Sequence, residues 1–164
     1  MAKKSKKSSN LFVAILCLIS LVFAFLTFAF VTMDGVGVSV TIGSTTTEGL
    51  FVAVKDIIFG VRDNNGEVIA QPNAGLLVGL IMVLLGALLN IATLKCKYAG
   101  YLGGLITLVG AILFFCATAL YSDFQGGSIG GLGANKLLGS GFILMGICGI
   151  LSAITSFVAG SLKK

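Results

Sequence analysis

Four long apolar runs, Leu11–Met33, Ala74–Leu94, Tyr98–Tyr121 and Leu137–Leu162, contain no Asp, Glu, Lys, Arg or His. About 20 helical residues at ~1.5 Å each cross the roughly 30 Å of a bilayer's hydrocarbon, and each run reaches that length. In lipid only helices or closed barrels satisfy their own backbone, and the runs lack the period-2 alternation of barrel strands. Composition agrees. Hydrophobic residues make up 57% of the 164 and charged residues 10%, too few charges to cover a soluble surface. The sequence therefore predicts an all-α membrane protein, a four-helix transmembrane bundle.

The charges are sorted by segment. Lys3, Lys4, Lys6 and Lys7 precede the first run, Lys95 and Lys97 separate the second from the third, and Lys163 and Lys164 follow the fourth. All six acids (Asp34, Glu48, Asp56, Asp63, Glu67, Asp123) lie in the other two connections, with only Lys55, Arg62 and Lys136 beside them. This asymmetry predicts that segments 1–10, 95–97 and 163–164 are cytoplasmic, and that loops 34–73 and 122–136 face outward from the plasma membrane. The net charge of +5 then reflects anchors near anionic headgroups, so the bilayer is the expected partner and nucleic acid is not. The first run is too long for a signal-peptide core, and Phe28-Ala29-Phe30-Val31-Thr32-Met33 offers no cleavage pattern. It is expected to stay as a helix.

Residues that carry chemistry are missing where chemistry would need them. There is no His in the chain and no ionisable acid or base in any run; the most polar residue there is Asn90, expected to bridge two helices by a hydrogen bond. Cys17, Cys116 and Cys148 lie in the runs and Cys96 in the basic turn, so no outer disulfide and no C-x-x-C site is available. Cys96, between two lysines, is an acylation candidate in a eukaryote. Gly126–Gly133 lacks the Gly-Lys-Ser/Thr ending of a phosphate loop. No catalytic, cofactor-binding or metal residues are predicted, and the expectation is a protein that is not an enzyme. With no inverted repeat, an ion-coupled transporter is disfavoured too.

The first outer loop, 34–73, is patterned for a sheet. Val36, Val38, Val40 and Ile42 alternate with small polar residues, as a half-buried strand does. Gly43–Gly49 reads as a turn region, and Leu50–Val54 and Ile57–Val61 as further strands rich in β-branched and aromatic residues. Asn65-Gly66 predicts a tight hairpin returning through Glu67-Val68-Ile69. Pro72 and Asn73 open the second helix, Asn73 as its cap. The second outer loop could add one strand to the same sheet, although its glycines weaken that reading. Small-x-x-x-small spacings mark Gly75 and Gly79, Gly100 and Gly104, and Gly149 and Ala153 as helix-packing positions. Packing within the bundle is the favoured reading, and contact with another protomer, there or on the Phe-rich first helix, the alternative.

Glu48-Gly49-Leu50-Phe51 resembles the Gly-Leu-Trp signature of the claudin and peripheral-myelin-protein superfamily of tetraspan proteins, with Phe for Trp. Leu94-Lys95-Cys96-Lys97 resembles that family's Lys-Cys turn after the second helix. Ala117-Thr118-Ala119-Leu120-Tyr121 resembles its Ala-Thr-Ala-Trp-Tyr stretch, and Lys136-Leu137-Leu138-Gly139 its entry to the fourth helix. The family's paired loop cysteines and its Trp have no counterpart here. The resemblance implies a claudin-like bundle carrying a small extracellular antiparallel β-sheet. It implies a structural or adhesive homo-oligomer, with Gly49, Leu50 and Phe51 anchoring the sheet. Val36, Val38, Val40 and Ile42 would form an edge that pairs with a neighbour, or else simply cover the bundle. Service as an auxiliary subunit with a membrane-protein partner, or as an oligomeric pore, are the alternatives.

Overall fold

The computed structural model describes residues 2–42, 45–62, 68–70, 72–120 and 133–163. Its long helices are α1 (Ala2–Ala29), α3 (Ala74–Ile91), α4 (Lys97–Phe115) and α6 (Ser140–Leu162). A 3-10 turn, Phe30–Thr32, extends α1, and another, Ala92–Leu94, extends α3. Four stretches, Asn10–Thr32, Ala74–Leu94, Lys97–Phe115 and Ser140–Leu162, are long and apolar enough to cross a membrane. They run alternately up and down, so that Asn10, Leu94, Lys97 and Lys163 share one end. That end carries the lysines and is called the basic end below.

The opposite end carries a three-stranded antiparallel sheet of β1 (Asp34–Ile42), β2 (Thr45–Ala53) and β5 (Gly133–Leu138), in the order β2-β1-β5. β1 pairs with β2 from Asp34↔Ala53 to Ile42↔Thr45, and with β5 from Val36↔Leu138 to Thr41↔Gly133. A register shift places Gly49 and Leu50 together opposite Val38, a two-against-one bulge; a second leaves Gly35 unpaired on β1. A small separate hairpin joins β3 (Val61–Arg62) to β4 (Val68–Ala70).

Several expectations are corrected. Ile57–Val61 is not a strand: Val54–Phe59 forms a short helix, α2, that buries Val54, Ile57 and Ile58. Those positions are i, i+3 and i+4, a helical face, and this spacing overrides the β-branched composition. Gly60, at φ 76°, stops α2 in a conformation that suits glycine. The turn assigned to Gly43–Gly49 is mostly strand, because Thr45–Thr47 pair with Val40–Ile42; Gly43 and Ser44 lie outside the described residues. The Asp63–Gly66 turn lies outside them as well, although the two strands it would join are paired.

The second outer connection does supply a strand. Leu137 and Leu138, expected in the fourth helix, belong to β5, and α6 starts only at Ser140. The apolar run cannot reveal this boundary, since Leu138 is as well buried in a strand as in a helix. The backbone decides it: Gly139 N–H donates to Gly35 O at 2.6 Å, and a Cβ on Gly139 would collide with Asp34 O. The third helix likewise ends early, at Phe115. Cys116 interrupts it before the single turn α5 (Ala117–Leu120), and Tyr121 and Gly126–Gly131 lie outside the described residues.

The main core lies towards the sheet end, where Val36 and the three apolar side chains of α2 meet Leu76, Leu80, Val83, Phe114, Phe142 and Met145. A smaller cluster of Val13, Cys17 and Ala159 lies towards the basic end. The helices approach closely through glycine. Gly79 faces Gly110 and Gly86 faces Gly103 across α3 and α4, so the working spacing there is seven residues, not four. Gly100, Gly104, Gly149 and Ala153 all pack between α4 and α6: Gly100 meets Gly160, Gly104 meets Phe157 and the Ala153 carbonyl, and Gly149 meets Ala111. Gly75 takes no part in a close approach, since a Cβ there would meet nothing nearer than 3.4 Å.

These contacts separate the glycines experimentally. Gly103→Ala would put Cβ 2.6 Å from the Gly86 carbonyl oxygen and should cost about 1–3 kcal/mol by forcing α3 and α4 apart. Gly75→Ala should be neutral or stabilise by up to about 1 kcal/mol through helix propensity. Unfolding of the two variants in the same detergent checks the contrast.

Candidate functional site

Two places gather polar or strained groups: the junction of sheet and bundle, and a hydroxyl layer in mid-bundle. At the junction, Asn73 does three things. Its side-chain oxygen accepts from Leu76 N–H at 3.1 Å, which caps α3 as predicted. Its amide donates to Leu120 O at 2.7 Å, and its backbone N–H donates to Ile57 O at 3.0 Å. One residue thereby holds α3, α5 and α2 together. Val54 N–H donating to Met33 O, and Gly139 N–H to Gly35 O, fasten the two remaining corners.

The predicted sheet residues do not all serve as expected. Of the two readings of Val36, Val38, Val40 and Ile42, an open edge or a cover of the bundle, the edge is excluded, because β1 is the central strand, paired with β2 on one side and β5 on the other. Val36 is fully buried, and with its lateral neighbours Val52 and Leu138 it packs on the core. The side chains of Val38, Val40 and Ile42 lie outside the described ones. Of the proposed anchor Gly49, Leu50 and Phe51, only Phe51 has a described side chain, and it does not join the core. Strand alternation turns Phe51 away from the Val52 face. Its half-buried ring covers Gly37, where a Cβ would come within 2.6 Å of it. Gly49 and Leu50 form the bulge opposite Val38, and their side chains are not among those described.

Sequence reasoning missed the hydroxyl layer altogether. Ser20 Oγ of α1 lies 2.9 Å from both Ser152 Oγ and Ser156 Oγ of α6, and 3.1 Å from Ser152 O. Ser152 Oγ donates back to Ser20 O at 2.9 Å. All three serines are fully buried, between the two apolar clusters. The signal was available: Ser152 and Ser156 are one turn apart on the buried face of α6, flanked by Cys148, Gly149, Ala159 and Gly160.

Asn90 behaves differently from its prediction. Its side-chain oxygen accepts from Thr93 Oγ1 within the same segment at 3.0 Å, and the bond to another helix uses its backbone carbonyl, which accepts from Cys17 Sγ at 3.3 Å. Its Nδ2, fully buried, has no partner among the described residues. The four cysteines are free, Cys17 and Cys148 buried, Cys96 and Cys116 exposed, and among the described residues no three His, Cys, Asp or Glu gather as metal ligands.

No protein-family model matches the chain, and no curated protein matches it significantly.

The hydroxyl layer and Asn90 give opposite expectations. Ser20→Ala should lower stability by about 1 kcal/mol, since it removes the shared contact between α1 and α6. Asn90→Leu combined with Thr93→Val should be neutral or stabilising by up to about 1 kcal/mol, because the pair deletes an orphaned donor together with the hydroxyl that bonds Asn90 Oδ1. Thermal unfolding of purified protein in one detergent reads both.

Proposed function

We propose that this chain is a multi-pass cell-membrane protein of claudin-like build, with both termini and the 95–97 turn in the cytoplasm and the sheet outside. In this reading it is not an enzyme. It is a structural or adhesive scaffold that self-associates in the membrane. The charge asymmetry supports the sidedness, and the short motifs around Phe51, Cys96 and Leu120 support the family reading. The observation that carries the self-association is the sheet itself. It is firmly fixed to the bundle, while the outer edges of β2 and β5 have no strand partner among the described residues. An open strand edge recruits another strand through backbone hydrogen bonds. The interior supports a structural role, because the Ser20, Ser152 and Ser156 hydroxyls hold two helices together and the close helix approaches are filled.

A second reading, an auxiliary subunit of a larger membrane complex, is favoured by α1. Its spanning stretch is 28% buried against 50% for that of α6, and it exposes Phe12, Ile15, Leu18, Val22 and Phe25. A stoichiometric unrelated protein retained through purification in mild detergent would favour that reading.

Self-association is tested with the native cysteines replaced and one returned to an edge, as Thr47→Cys on β2 or Asn135→Cys on β5. Oxidation in native membranes should yield covalent dimers from at least one variant. Single-step photobleaching of every labelled particle, together with no covalent dimer, would contradict it.

A further inference from the structure

α1 packs along α6 and touches α3 at Cys17, and an apolar groove runs along α1 to the end of α3. Two hollows make it up, about 430 Å³ lined by Leu18, Leu21, Val22, Phe25 and Leu26, and about 200 Å³ lined by Ala14, Cys17, Leu18, Leu21, Ile91 and Leu94. They share Leu18 and Leu21, so they form one channel open to the side. From Ala14 to Leu26 the channel follows 12 helical steps, about 18 Å. One leaflet of hydrocarbon is roughly 15 Å deep.

A cation closes the basic end of this channel. Lys163 Nζ donates to Asn10 Oδ1 at 3.0 Å and to Leu94 O at 2.6 Å. Asn10 stands one turn before Ala14, and Leu94 is itself a wall of the groove. The ammonium therefore bridges the two helices that flank the mouth, and it carries three protons, of which these bonds use two. Lys95, exposed, follows Leu94 directly. Lys97 is turned elsewhere, its ammonium 5.3 Å from the centre of the Tyr98 ring. No Asp or Glu occurs in segments 1–33, 92–122 or 139–164, so no side-chain carboxylate of these segments neutralises the mouth.

We propose that this groove is a binding site for one anionic phospholipid, an acyl chain lying along α1 past the end of α3 and the headgroup phosphate on Lys163 and Lys95. The length selects a chain that spans one leaflet. The charge selects the headgroup. A second copy of this chain in the same membrane would bring its own lysines to the same level, where like charges repel, whereas an anionic headgroup offsets them. The inference rests on the membrane placement proposed above and is independent of the adhesive role.

The test uses the purified full chain in mild detergent, titrated with dioleoyl phosphatidylglycerol or dioleoyl phosphatidylcholine and followed by native mass spectrometry. The wild-type chain should retain one phosphatidylglycerol in clear preference to phosphatidylcholine. Lys163→Gln and Lys95→Gln should each lower that preference by about fivefold. Leu18→Trp, which fills the channel and leaves both lysines in place, should abolish the one-to-one adduct of either lipid. Melting curves identify any variant that fails to fold, and Lys95→Gln, which breaks no bond seen in the structure, keeps the charge test independent of folding. Equal retention of the two lipids by the wild-type chain would overturn the proposal. So would a preference that survives both lysine substitutions, or a disulfide-linked dimer from Leu18→Cys in membranes that anionic lipid does not suppress.

Discussion

The seating of α2 in the mouth of the bundle is the contact on which the other elements depend. Val54, Ile57 and Ile58, all fully buried, enter between Leu76, Phe142 and Met145, so the cap and the helices share one core. Each such side chain contributes about 1.5–3 kcal/mol when it is taken from water. Nothing comparable fixes the sheet by itself, since a few short strands with one open face are marginal in water. With α2 in place, the strand before it ends at the bundle surface, Asn73 is held against Ile57, and β5 can be drawn in beside β1. The backbone bonds at Val54, Asn73 and Gly139 follow from that placement and lock it.

Below the cap, the helices are held by a different kind of contact. On the membrane placement proposed above, lipid tails are as apolar as leucine, so association relies on close packing and on hydrogen bonds. Glycine supplies the first, with reciprocal pairs between α3 and α4 and a second row between α4 and α6. Serine supplies the second, where α1 meets α6. The division has a consequence for α1: it lacks glycine, meets α3 through Cys17 rather than a close backbone approach, and leaves the groove whose end Lys163 closes. The least embedded helix is thus tied at mid-height by Ser20 and at the basic end by Asn10.

Much of the architecture was legible because its signals are long and one-sided. Four uncharged runs, an N-cap at Asn73 and an alternating strand from Val36 need no tertiary information. What failed was short or shared by two conformations. Ile57-Ile58-Phe59 is apolar and β-branched in a strand or in one turn of helix, and only burial of the i, i+3, i+4 face distinguishes them. Leu137 and Leu138 extend an apolar run without a break, although they belong to a strand. Whether Val36–Ile42 is an edge or a centre depended on a partner almost 100 residues away, behind a glycine-rich stretch that gives a strand only a weak signal. The serine layer was hidden by a different habit of reading, in which charges mark a site and hydroxyls pass as neutral.

Hydrogen exchange of the whole chain in detergent or lipid discs tests most directly whether cap and bundle are one cooperative unit. The amides of Val54, Asn73 and Gly139 should exchange as slowly as those in the middle of α3 and α6, and should be released in the same transition on heating. Rapid exchange at all three, with the long helices still protected, would mean that the cap is an appendage and that α2 does not organise the fold.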